Sequence, residues 1–216
     1  MDACSQSSLA IVVLISGGGS NLQSIIDRIK EGSLSATLRC VISDQENAGG
    51  LQRAVESNIP TRVISPKQSE SRHDFNTQLV REIAKFQPDL VVLAGYMRIL
   101  DSAVIDAFDG KIINIHPSLL PKFRGLDTHQ RAISAGEKIH GATVHFVTAE
   151  LDAGPIIAQR AVDVRAEDSA HELQSRVLQQ EHIMLPEVIQ LISENRVSLK
   201  SGKVLIDGKP FQVTVT

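Results

Sequence analysis

The chain has 216 residues, 42% of them hydrophobic and 22% charged, a composition that excludes a disordered or fibrous protein and allows one substantial core. Its net charge of −3, from 22 basic and 25 acidic residues, excludes a protein that grips nucleic acid through a global positive field. Cys4 and Cys40 are too few for a disulfide framework or a zinc site, so no metal is expected and two free thiols fit a reducing compartment.

Met1–Ser8 carries no basic stretch leading into a signal-type core, and the apolar run Leu9–Ile15 is too short to span a bilayer. The expectation is a cytoplasmic protein with no membrane partner. Short β-branched runs follow at Leu38–Ile42, Thr61–Ile64, Leu90–Leu93 and Ile112–Ile115, each bounded by Gly, Pro, Asn or Asp, and read as strands buried on both faces. Helical spacing fills the gaps: Leu22, Ile25, Ile26 and Ile29; Leu51, Ala54 and Val55; Phe75, Leu79, Ile83 and Phe86. This alternation predicts an α/β fold with a Rossmann-like, doubly wound, mostly parallel sheet.

After Ile115 the pattern changes. Gly141–Val147 and Pro155–Val162 read as strands joined by a short acidic loop, which predicts a mixed extension of the sheet. Ser169 is a plausible N-cap for a helix to about Asn195, with a kink expected at Pro186. Val197–Leu199 and Val204–Ile206 predict a terminal hairpin within residues 196–216.

Three places carry chemistry. The first strand runs into Ser16-Gly17-Gly18-Gly19-Ser20-Asn21 and then a helix, a geometry that offers backbone N–H groups to a phosphate or merely makes a tight turn. It lacks the Walker lysine, so triphosphate hydrolysis is not expected. At the carboxyl end of the fifth strand Asn114 and His116 are two residues apart and project from one side, where ligands collect in open α/β sheets. Asp152 lies in the acidic loop; if it met them, an amide donor, an imidazole and a carboxylate would surround one point, a set suited to acyl transfer. With no Ser or Cys elbow, the acceptor is expected to attack directly. His73, His129, His140, His171 and His182 read as surface or helix-face residues.

Ile15–Leu22, Leu93–Leu100, Asn114–Pro121, Gly141–Val147 and Leu151–Pro155, in that order between Leu9 and Asn195, resemble the phosphoribosylglycinamide formyltransferases. The resemblance implies one formyltransferase domain over residues 1–216, with a nucleotide-binding half at about 9–110 and a folate-binding, catalytic half at about 111–195. It implies transfer of the formyl group of 10-formyltetrahydrofolate, without a metal, to glycinamide ribonucleotide in purine synthesis, by a monomer or homodimer. It places the phosphate at Gly19, Ser20 and Asn21, with a second ribonucleotide contact at Leu178, Gln179, Gln180 and Glu181. It assigns the folate wall to Met97, Arg98, Ile99 and Leu100, with Arg72 and Asn114 as further contacts, and catalysis to Asn114, His116 and Asp152. Thr143 and His145 fall on the adjacent strand. Gly18 and Tyr96 depart from common family residues without removing a group the chemistry needs, whereas Ala149 and Ala153, in the Thr148–Gly154 loop, stand where relatives vary and bear on pterin affinity rather than on reaction type. Hydrolases that deformylate the same folate usually carry His-His where this chain has His116-Pro117; a phosphate- or folate-binding module without activity is the alternative of another class.

Overall fold

The computed structural model describes residues 8–210, so Cys4 and the last residues of the expected tail lie outside the described residues. Strands β1 (Leu9–Ile15), β2 (Ala36–Ser43), β3 (Thr61–Val63), β4 (Leu90–Leu93), β5 (Ile112–His116), β6 (Ile139–Phe146) and β7 (Ile156–Asp163) form one seven-stranded sheet in the order β3-β2-β1-β4-β5-β6-β7. The first five are parallel, and β6 and β7 are added antiparallel. The mixed extension expected after Ile115 is therefore present.

Alternation along β1 shows why the strands are continuously apolar. Ile11, Val13 and Ile15 enter one core with α1 (Ser20–Lys30) and α6 (Ala170–Ser193), while Val12 and Leu14 enter the other with α3 (Arg72–Ala84) and α4 (Ser102–Ala107). Both faces are covered, so neither can be polar. On β5 the same alternation sends Ile113 and Ile115 into the first core and turns Asn114 and His116 to the opposite face.

Two short helices were not anticipated: α4, and α5 (Thr128–Ser134). α2 (Gly49–Glu56) follows the expected pattern. Helix α6 opens on a capping box: the Ser169 hydroxyl accepts from Glu172 N–H, and the Glu172 carboxylate accepts from Ser169 N–H. It runs unbroken through Pro186, whose ring is buried and whose missing N–H leaves the His182 carbonyl without its helical donor. The tail departs from a simple hairpin, because β8 (Val197–Lys200) and β9 (Lys203–Ile206) are joined by β10 (Lys209–Pro210), which pairs antiparallel with β9 in a separate three-stranded sheet. Gly208 at φ 76° makes the second turn.

No helix among the described residues is long and apolar enough to cross a membrane. Cys40 is fully buried in β2, and burial pushes the pKa of its thiol up to about 11, which makes it a packing residue.

Candidate active site

The chain runs from β1 outward to β3, then returns to β4 and continues to β5 on the other side. The carboxyl ends of β1, β4 and β5 therefore flank the point at which strand order reverses. The glycine loop leaves β1 there, Gly95 follows β4, and His116 ends β5. The Ser16 N–H donates to the Gly95 carbonyl at 3.1 Å and its hydroxyl accepts from Met97 N–H at 2.9 Å, which ties the first loop to the second.

The third glycine of the loop has a packing reason. Gly19 has φ 72°, and a Cβ there would lie 2.5 Å from the Gly50 Cα. At Gly17 and Gly18 a Cβ would meet nothing within 4 Å, so their glycine identity is not demanded by packing as it is at Gly19. Arg53 of α2, which sequence reasoning did not single out, donates from Nε to the Gly18 carbonyl at 2.8 Å and brings a cation to the loop. The segments expected to share a ligand do meet: Asn21 Nδ2 donates to Glu181 Oε2 at 2.7 Å across 160 residues of sequence. Gln179 is exposed, whereas Leu178 and Gln180 are half-buried.

Burial raises the pKa of Glu181 above the usual carboxylate range, against the smaller opposing effect of the Asn21 hydrogen bond. The sign of the consequence is fixed. A carboxyl whose folded value lies above its unfolded value contributes stability that is full below the unfolded value and is lost as pH rises through the folded one. Glu181→Gln removes that loss. Its melting temperature should match wild type in acid and exceed it increasingly toward neutral pH; a gap that did not change with pH would contradict the assignment.

Asn114 and His116 share a face with His145 and Thr143, which stand directly opposite them on β6. Asp152, in the loop between β6 and β7, comes to the same place. His116 Nδ1 lies 3.4 Å from Asp152 Oδ2, and His145 Nε2 lies 3.8 Å from Asp152 Oδ1. Asp152 Oδ2 also accepts from the Gly125 N–H at 2.9 Å. His116 is 6% exposed. Its Nε2 is 3.0 Å from the Phe123 carbonyl, which can only accept, so Nε2 carries a proton. With Nε2 protonated, the contact of Nδ1 with a carboxylate becomes attractive once Nδ1 is protonated as well.

His145 plays a different part. Burial lowers its affinity for a proton, outweighing its bond to Phe146 and the nearby Asp152, and keeps the ring neutral. Its Nδ1 donates to the Phe146 carbonyl at 2.8 Å, leaving Nε2 to accept from Asn114 Nδ2 at 3.2 Å. One Asn114 N–H is thereby fixed, and the second remains available to a ligand. Thr143 is a loop anchor: its hydroxyl donates to the Ser118 carbonyl at 2.6 Å and accepts from Leu120 N–H at 3.1 Å.

Two cavities share Asn114 and Asp152 in their walls, and His116 lines the larger of them. A cleft of about 950 Å³ is lined by Met97, Arg98, Ile99, Asn114, His116 and Asp152, among others, and continues past Gly125 and His129 to Gln174 of α6. A narrow pocket of about 80 Å³, walled by Leu93, Tyr96, Leu100 and Val147, opens beside Asn114 and Asp152. Arg72 lines neither cavity; its guanidinium reaches the Ile99 carbonyl at 3.5 Å, behind the wall. Gly19, Ser20, Asn21 and Leu178–Glu181 also lie outside both linings, with Gln174 one helical turn from Leu178.

A family model described as formyl transferase matches residues 9–189. The chain belongs to the formyl transferase family. Phosphoribosylglycinamide formyltransferase of Escherichia coli (strain K12) is 45% identical over 199 residues, covering 92% of this chain and 94% of that protein. The solved phosphoribosylglycinamide formyltransferase of Coxiella burnetii, in complex with CHES, is 46% identical with a TM-score of 0.91, over 94% of this chain and 96% of that one. A formyltetrahydrofolate deformylase from Pseudomonas syringae is 32% identical with a TM-score of 0.84, over 92% of this chain and 66% of that one. The parallel sheet with its antiparallel extension agrees with the strand pattern, and the formyl transferase fold agrees with what the resemblance implied.

The histidines need one correction. His140 is 1% exposed, packed edge-on against His129 and Phe123, rather than at the surface. Burial, with His129 beside it, lowers its pKa to about 4, so it is a neutral core ring. His129 is half-buried and lines the cleft.

Proposed function

We propose that this formyl transferase moves the formyl group of 10-formyltetrahydrofolate to the amine of glycinamide ribonucleotide in purine synthesis. The observation that carries the reading is the meeting of Asn114, His116 and Asp152 in the wall of the larger cleft, with Asn114 and Asp152 also lining the narrow pocket beside it. In this reading the pterin enters at the narrow pocket and extends into the cleft beside it, with Arg98, Ile99 and Leu100 walling the pocket, Met97 lining the cleft and Arg72 bracing the Ile99 carbonyl from outside both. The ribonucleotide phosphate rests on Gly19, Ser20 and Asn21 with Arg53 nearby, and Glu181 takes its sugar or glycinamide end beside Leu178, Gln179 and Gln180. Residues 9–110 thus hold the ribonucleotide and residues 111–195 hold the folate and the chemistry.

The free N–H of Asn114 points to the developing oxyanion of the formyl group when the amine attacks. A donor so placed contributes about 2.7–4 kcal/mol in comparable sites. His116, held between the Phe123 carbonyl and Asp152, supplies positive charge beside the reacting centre. Asp152 holds that charge and passes the amine proton toward the leaving nitrogen, through water if the reach requires it. No residue is acylated, and the amide, imidazole and carboxylate carry out these steps without calling on a metal.

The test is release of tetrahydrofolate from 10-formyltetrahydrofolate with and without glycinamide ribonucleotide. Release only with the ribonucleotide is expected. Equal release without it would make water the acceptor and favour a hydrolase like the Pseudomonas syringae neighbour. No release under either condition would refute the reading.

A further inference from the structure

The loop Lys122–Asp127 supplies partners to both His116 and Asp152. The Phe123 carbonyl accepts from His116 Nε2 and the Gly125 N–H donates to Asp152 Oδ2. That loop is not a relaxed one. Phe123, Gly125 and Asp127 all have positive φ, at 55°, 79° and 56°, and Asp152 opposite has φ 48°. Aspartate tolerates this conformation comparatively well, but for Phe123 it is disfavoured and persists where surrounding contacts impose it.

One side chain imposes it from outside the cleft. Arg131 of α5 donates from Nη1 to the Arg124 carbonyl at 2.7 Å and to the Leu126 carbonyl at 3.1 Å, so one nitrogen clamps the carbonyls on either side of Gly125. Its guanidinium also lies over the Phe123 ring, 5.5 Å from the centroid. The three contacts fix residues 123, 124 and 126 around the two backbone groups that hold the imidazole and the carboxylate. Arg131 is absent from the lining of both cavities and is itself exposed.

We infer that Arg131 is a positioning residue for the reaction, acting through the Phe123–Leu126 loop to hold His116 and Asp152 in register with each other. The inference rests on the catalytic reading of His116 and Asp152. Lysine offers a single ammonium that can reach the two carbonyls but cannot stack as a plane, so it should substitute in part.

Arg131→Ala is expected to lower kcat about tenfold, less than the roughly 10²-fold that a full ångström of misplacement can cost. KM for the ribonucleotide should stay the same, because Asn21 and Glu181 are untouched, and Arg131→Lys should recover most of kcat. A second readout needs no turnover: exchange of the His116 Nε2 proton with solvent, followed by NMR, should be faster in Arg131→Ala. Wild-type kcat or an unchanged exchange rate in folded Arg131→Ala overturns the inference. If Arg131→Ala does not fold, Phe123→Leu, which keeps the carbonyl but removes the ring beneath the guanidinium, should show the same two changes, and wild-type values there overturn it equally. His116→Ala measured alongside separates the two failures: retained turnover in that variant sinks the catalytic reading, whereas loss there with none in Arg131→Ala sinks only this inference.

Discussion

His116→Ala should lower kcat by roughly 10² or more with the fold intact, and Asp152→Asn should do the same, as acid–base participants do. The paired substitutions are informative because they remove different things. Alanine at 116 deletes both ring nitrogens, the one facing the Phe123 carbonyl and the one facing Asp152. Asparagine at 152 keeps an oxygen that can still accept from the Gly125 N–H and so preserves the loop, but loses the negative charge beside the imidazole. A folded Asp152→Asn variant with near wild-type turnover would reduce Asp152 to a loop anchor. Since the two groups act as a unit, the double variant should be scarcely slower than either single one. Independent, multiplying losses would mean that imidazole and carboxylate work at separate steps.

The parts of this site that follow regular periodicity were legible in the sequence. Alternation along β5 placed Asn114 and His116 on one side, and the position of that strand's end placed them at the ligand-binding edge. Glycine followed by a helical pattern located the loop after β1, although the packing of Gly19 against Gly50 depends on a contact that no local pattern records. The missed elements had too little apolar spacing to register. α5 buries only Thr128 and Ala132, and α4 only Val104 and Ile105. The loop that α5 supports was the least legible, because a phenylalanine at positive φ contradicts its own preference and is held there by distant groups. His140 was misread for a related reason: its burial comes from Phe123 and His129, which reach it through that same loop and helix. The meeting of Asp152 with His116 required the antiparallel turn of β6 and β7, and spacing alone left it conditional.

The second large effect is expected at a residue with no side chain. Gly154 follows Asp152 by two positions, and a Cβ there would lie 1.8 Å from the Phe146 carbonyl oxygen and 2.9 Å from its carbon. Both are main-chain atoms of a strand, so no flexible side chain can move aside. Phe146 is bound on both flanks, its N–H donating to the Pro155 carbonyl at 2.9 Å and the next N–H, of Val147, donating to the Ile112 carbonyl at 2.9 Å. Gly154→Ala must part the β6–β7 junction, and the cost should reach or exceed the upper end of the roughly 1–3 kcal/mol typical of overpacking. Gly202 provides the contrast: it has φ 72° but open space around it, so alanine there meets only the conformational penalty of about 1–2 kcal/mol. The same displacement in Gly154→Ala moves Asp152 away from His116, so kcat should fall along with the melting temperature, whereas Gly202→Ala should lose a smaller amount of stability and keep its turnover. Denaturant unfolding and steady-state assays of the two variants decide it. A Gly154→Ala protein as stable as Gly202→Ala would mean that the junction yields more readily than its two hydrogen bonds imply, and an unchanged kcat would mean that the position of Asp152 is set by Gly125 and His116 rather than by the turn that carries it.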